Sequence, residues 1–264
     1  MRILLSIDTD KSLIKLSRRV LSVYNSFNKS AMFIDIFHVY EKPSVKGGHI
    51  PNTMSRVIQR EHEQKMDFLA NCERKLEVVI KELSNKKTLV NSYLETGDYL
   101  KKLQQQVARY QYDLLILLPG DKDSLEMLLN GRNTQKVFSK IDVPILMLPK
   151  NRKIKHAETK FVWCLDKPDT KIIDKKSMYF LNLIEPSQIE YLHFCKTTPT
   201  NRKGNVHIIQ SDDPLKSLKK YDKEHKENHI YILNPKKRTG LKRYFEKSFT
   251  KGILKDPQFS FLLI

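Results

Sequence analysis

The chain alternates short, almost wholly apolar runs with longer stretches whose apolar positions recur every three or four residues. The runs at 2–7, 31–38, 88–94, 113–118 and 144–148 predict strands. Between them, Leu13, Leu16, Val20, Leu21 and Tyr24 fall at helical spacing over residues 11–27. A long helix is predicted over 54–84, with Leu69, Leu76, Val79, Ile80 and Leu83 on one stripe. Thr96-Gly97-Asp98 introduces another helix that runs to Tyr110, and a further one is expected around 133–140. Pro43, Gly47, Gly48 and Pro51 make 41–53 a loop. The run Asp113-Leu114-Leu115-Ile116-Leu117-Leu118 shows no polar alternation, which suits a strand covered on both faces. Such an order calls for a mostly parallel sheet flanked by helices.

The same pattern is then written a second time. Ile3-Leu4-Leu5-Ser6-Ile7-Asp8 returns as Phe161-Val162-Trp163-Cys164-Leu165-Asp166, and Ile34-Asp35-Ile36-Phe37-His38-Val39 returns as Ile189-Glu190-Tyr191-Leu192-His193-Phe194. The fourth-strand run at 113–118 returns at 229–234, and the fifth at 143–148 returns at 259–264. Four runs recurring in one order make the repeat a whole domain. The expected organisation is a first domain at 1–150, a basic polar linker at 151–158 and a second domain at 159–264.

The second copy is shorter. Strand two ends near Phe194, the next strand candidate is 205–210, and only Cys195 to Gly204 lies between, with Pro199 and Gly204 inside it. A parallel crossover ordinarily takes a dozen or more residues and a helix. The counterpart of the 54–84 helix is therefore expected to be missing. The third strand of this half is then either an antiparallel partner or displaced, with one sheet face bare unless the first half or another chain covers it. Helices at 169–183 and 213–227 complete the half.

Composition narrows the function classes. A length of 264 residues suits two small domains, and no apolar stretch is long enough for a membrane span. The amino terminus reads directly into a strand without a basic-then-apolar leader, so a cytoplasmic location is expected. Cys72, Cys164 and Cys195 are widely spaced and read as reduced, buried thiols. The net charge is +18. Residues 1–150 hold 24 basic against 17 acidic groups, and 151–264 hold 24 against 13. This excess draws anions, or reflects lysines spread over solvated helix faces.

The element order, the Asp closing strand one, the "HV" ending strand two, the Gly-Asp before the third helix and the Val-Pro of strand five resemble the universal stress protein family. The resemblance covers both halves. It implies two tandem open five-stranded α/β sheets, the second abbreviated, with a fold related to other adenine-nucleotide-binding folds. It also implies pairing of the two domains through their fifth strands, 144–148 beside 259–264; a further homodimer and an unknown protein partner stay open. Many members bind ATP or AMP at a Gly, two residues, Gly, nine residues, Gly-Ser/Thr signature. The glycines let backbone N–H groups reach phosphate, and the last opens a helix whose amides favour an anion. Here Gly131 takes the last place, but Leu118 and Asp121 stand where the first two glycines belong, and Arg132 replaces the Ser/Thr. Gly120 lies nearby, out of register. In the second half the matching positions are Asn234, Lys237, Lys247 and Ser248. By the resemblance, Asp8 and Asp166 match the residue holding the nucleoside, and Val39 the residue beside the base, with Phe194 in its place in the second half. Asp8 also has a local reading as a cap for the following helix, with Asp10 and Ser12 close by.

Three functions are weighed. The first is a non-catalytic stress or signalling module, either a scaffold without nucleotide or a binder of ATP or AMP through Asp8, Val39, Gly120, Gly131 and Arg132. A guanidinium at Arg132 would suit phosphate. The second is an enzyme, for which no base or nucleophile set can be assembled. His38 and His193 repeat each other, but a lone strand-end His is more often a hydrogen-bonded core or rim residue. No metal ligand set appears. The third is binding to nucleic acid or an anionic surface through the basic stretch at 236–255. The helical spacing of Leu241, Tyr244, Phe245, Phe249 and Ile253 there places the aromatics in a core and argues against specific nucleic-acid binding.

Overall fold

The computed structural model describes residues 1–7, 23, 26–27, 31–40, 52–83, 87–117, 141–148, 159–165, 175–196, 206–225, 228–233 and 259–264. Contacts divide the chain into two compact units, Met1–Ser17 with Ser30–Val143, and Arg18–Lys29 with Pro144–Ile264. The helix expected at 133–140, residues 41–51 of the loop expected at 41–53 and most of the helix at 11–27 lie outside the described residues, as does the basic stretch at 236–255; residues 52 and 53 open a helix instead.

In the first unit the strands are β1 (Arg2–Ser6), β2 (Ala31–Tyr40), β3 (Lys87–Thr96) and β4 (Leu114–Leu117), in the order β3-β2-β1-β4. All three pairings are parallel. Every residue of β4 is buried, so both faces of this strand are covered, as its unbroken apolar run implies. Helix α1 (Asn52–Leu83) packs against β3 and buries Leu69. Its 32 residues extend about 48 Å, longer than the ten-residue strand beneath it. Helix α2 (Tyr99–Arg109) packs against β2 and β3 and buries Leu103 and Gln106. Gly97 precedes it at φ 119°, a left-handed conformation that a side chain would strain. Asp98 then caps the helix by accepting from the Lys101 amide at 2.7 Å.

The second unit contains β5 (Ile145–Met147), β6 (Thr159–Leu165), α3 (Lys175–Leu181), a 3₁₀ turn (Pro186–Gln188), β7 (Ile189–Cys195), β8 (Val206–Gln210), α4 (Pro214–Glu224), β9 (Asn228–Leu233) and β10 (Ser260–Leu263). Its order is β5-β10-β9-β6-β7-β8. Strand β5 runs antiparallel to β10, so the two runs that the resemblance places side by side do lie together. The other pairings are parallel. Residues 26–27 add a short antiparallel bridge, Phe27 to Ile184, and the Phe27 ring meets Phe180 edge to face at 6.0 Å. Helix α4 repeats α2 closely. Asp213 caps it through the Lys216 amide at 3.1 Å, and Leu218 is buried where Leu103 is.

Strand β8 corrects one expectation. It is neither antiparallel nor displaced: it lies parallel to β7 in the place β3 takes beside β2. No helix is described between β7 and β8. The register explains how ten residues suffice. Val206 sits opposite Tyr191, four positions before Cys195, so the connection retraces only about 13 Å. Ten residues reach roughly 33 Å when extended.

Removing the cap by Asp98→Ala is expected to cost about 1 kcal/mol, read as a lower urea midpoint with an unchanged denaturant slope.

Candidate functional site

The carboxyl end of β1 is where a ligand would meet an open sheet of this order. There the Ile7 amide donates to the Phe37 carbonyl at 3.0 Å, and the buried His38 ring lies with Nδ1 3.0 Å from the Ile7 carbonyl oxygen. A carbonyl only accepts, so Nδ1 carries the proton of this bond. The second unit repeats the contact: buried His193 places Nδ1 3.0 Å from the Leu165 carbonyl oxygen. Ile7 and Leu165 each immediately precede the strand-one aspartate, Asp8 or Asp166. Both histidines therefore tie strand two to the end of strand one, as hydrogen-bonded core residues.

Val39, next to His38, is buried at this end, and Phe194 is buried in its place in the second unit. Asp8, Gly120, Gly131 and Arg132 lie outside the described residues, as do Asp166 and the second-half signature. The structure thus locates one of the five candidate residues. It adds two that pattern reading missed. Ser6 is fully buried, and its hydroxyl is 2.7 Å from that of Tyr99 in the first turn of α2. At the corresponding places the second half carries Cys164 and Pro214, so this contact belongs to the first unit alone.

A second polar cluster lies toward the amino ends. Asp35 is fully buried and accepts from Arg2 Nε at 2.8 Å, Tyr112 Oη at 2.8 Å and Asn91 Nδ2 at 3.0 Å, with Arg2 Nη2 at 2.6 Å. The guanidinium rests over the Tyr110 ring at 4.2 Å. Gln106 on α2 donates to Tyr112 Oη at 3.1 Å. Burial pulls the Arg2 pKa down, yet the Asp35 carboxylate outweighs this and leaves it raised. Burial, then the hydrogen bond and charge of Asp35, push the Tyr112 phenol well up. Burial also raises Tyr191, and burial followed by the Tyr110 hydrogen bond raises Tyr93. The second unit builds the cluster from other parts. Glu190 stands where Asp35 does, and Tyr221 of α4, in the place of Gln106, donates to it at 3.0 Å. Beside it, His225 stacks on Tyr221 at 4.1 Å, and Tyr231 donates to Asp222 at 2.7 Å. Gln106, Tyr221 and Asp222 bind helix to sheet, while Arg2 and Asn91 join neighbouring strands through Asp35; among the described residues no His, Cys, Asp and Glu group is arranged to hold a metal.

No protein-family model matches the sequence, and no curated protein is significantly similar to it. Solved structures are. A universal stress protein from Archaeoglobus fulgidus DSM 4304 superposes with a TM-score of 0.64 at 13% identity, over 99% of this chain and 95% of that one. The chain has the universal stress protein fold. A functionally unknown protein from Pseudomonas aeruginosa PAO1 superposes with a TM-score of 0.53 at 12% identity, over 100% of this chain and 92% of the other. Both likenesses run through both halves. The universal stress protein fold therefore accounts for the shared strand order, while identities this low leave the chemistry to this chain's own residues.

The phenol environments predict the alkaline behaviour. The unfolded chain releases tyrosine protons near pH 10.0, whereas folded Tyr112 keeps its own. Stability present below that pH should decline as pH rises beyond it. Absorbance titration of the native protein should ionise fewer than its 11 tyrosines at about pH 11, and the denatured chain all of them.

Proposed function

We propose that this chain is a non-catalytic module of the universal stress type, acting as a scaffold whose surfaces engage other molecules, with nucleotide binding weak or lost. The observation that carries the reading is the chain leaving the carboxyl end of β4 at Leu117. Leu118 and Asp121 follow, where a phosphate cradle needs glycine. A Cβ at those places keeps backbone amides from phosphate, and the Asp121 carboxylate would repel it. The described buried polar groups support the same reading. His38 and His193 are held against main-chain carbonyls and Asp35 accepts from three side chains, arrangements that serve cohesion.

A second reading is favoured by the carboxyl end of β1. Buried Val39 and the Ile7–His38 hydrogen bond preserve the frame from which Asp8 follows. On it, the first half would hold ATP or AMP through Asp8, Val39, Gly120, Gly131 and Arg132, the guanidinium replacing the lost hydroxyl as a phosphate ligand. Among the described residues no helix is long and apolar enough to cross a membrane. We take the cytoplasm as the place of action, and the scaffold's partner as a protein still to be captured.

Isothermal titration with magnesium ATP decides between the readings. The scaffold predicts no saturable heat up to about 1 mM, a concentration corresponding to roughly 4 kcal/mol of binding free energy. Saturable heat that Asp8→Ala and Arg132→Ala remove would establish the second reading.

A further inference from the structure

The two units offer an internal comparison of α2 with α4. Their caps, Asp98 and Asp213, and their buried leucines, Leu103 and Leu218, coincide. Counting from the caps, the outward positions Lys101, Gln104, Gln105 and Ala108 of α2 become Lys216, Lys219, Lys220 and Lys223 of α4. All four lysines are exposed. Their spacing sets them along one helix face about 10 Å long. The fold does not need lysine at the last three of these places, since the same helix in the first unit packs with Gln104, Gln105 and Ala108 there.

We propose that this lysine face of α4 binds the phosphate backbone of duplex nucleic acid without reading sequence. A duplex presents about one negative charge per 1.7 Å of axis, so a row of this length always finds several phosphates. Lysine supplies point charges suited to backbone contact. The aromatic of this helix, Tyr221, is buried and occupied by Glu190, so base stacking on a single strand is not served. A membrane surface fits poorly, because the apolar side of α4, Leu218 and Tyr221, is buried in its own unit and cannot insert. The acidic neighbours are weak competitors. Glu224 meets Lys220 at 3.7 Å with both side chains well exposed, and Asp212 lies 3.9 Å from Lys196 at the other end of the helix. The excess of 24 basic over 13 acidic groups in residues 151–264 gives the long-range attraction the same sign.

The test is fluorescence anisotropy of the full chain with a labelled random-sequence duplex across a salt series. The wild type should bind at low salt and weaken steeply as salt rises. The variant Lys219→Gln/Lys220→Gln/Lys223→Ala, which restores the residues of α2, should flatten the plot of log affinity against log salt by about 2–3. The matched Lys→Arg variant keeps the charge and should keep the slope, which separates charge loss from misfolding. The proposal is overturned by a wild type that does not bind at low salt, by an unchanged slope in the neutral variant, or by equal loss in the arginine variant. It also fails if only Lys236→Gln/Lys237→Gln/Arg238→Gln lowers the affinity, or if anionic phosphatidylserine vesicles bind the protein and the duplex does not.

Discussion

At the carboxyl end of the first strand in each unit, a buried imidazole donates its proton to the last strand carbonyl. His38 does this to Ile7 and His193 to Leu165, both at 3.0 Å. A strand-end carbonyl is the point where a parallel sheet runs out of ladder partners, and leaving one buried and unmade costs about 1–3 kcal/mol. The imidazole supplies that partner from the neighbouring strand. It thereby ties strand two to the last described residue of strand one in each unit. That two chain segments at low mutual similarity converge on one atom-to-atom contact is why the halves can be compared position by position.

The comparison separates what the fold requires from what each half does with it. A carboxylate on strand two is satisfied by side chains in both units, by Arg2, Asn91 and Tyr112 around Asp35 and by Tyr221 of α4 at Glu190. The partners differ, yet the logic of satisfying a carboxylate close to the sheet is the same. By contrast, the Ser6–Tyr99 contact exists only in the first unit, and the lysine face only on α4. Residues that diverge against a shared framework are the ones free to carry separate functions.

Much of this architecture was legible in the sequence because it rests on periodicity. The unbroken apolar run of the fourth strand is buried on both faces, and Thr96-Gly97-Asp98 introduces a helix that Asp98 caps. The 54–84 helix is observed as Asn52–Leu83. The orientation of β8 was not legible. A crossover-length rule assumes strands of ordinary reach, and the register of Val206 on Tyr191 leaves little distance to recover. Nor was the Asp35 cluster legible, since its members lie at positions 2, 35, 91, 106 and 112 and only the fold brings them together. Of the candidate site, Val39 was named through the resemblance, and the structure shows it buried beside His38. The glycine signature could be judged only as a departure from a spacing.

The sharpest test of this account is the protonation of the two repeated imidazoles. A long-range proton–nitrogen correlation spectrum at mildly alkaline pH should show His38 and His193 both as the Nδ1–H tautomer, each with a slowly exchanging ring proton. An Nε2–H tautomer at either ring, or rapid exchange of one while the other is protected, would contradict the claim that both halves close their first strand by the same bond.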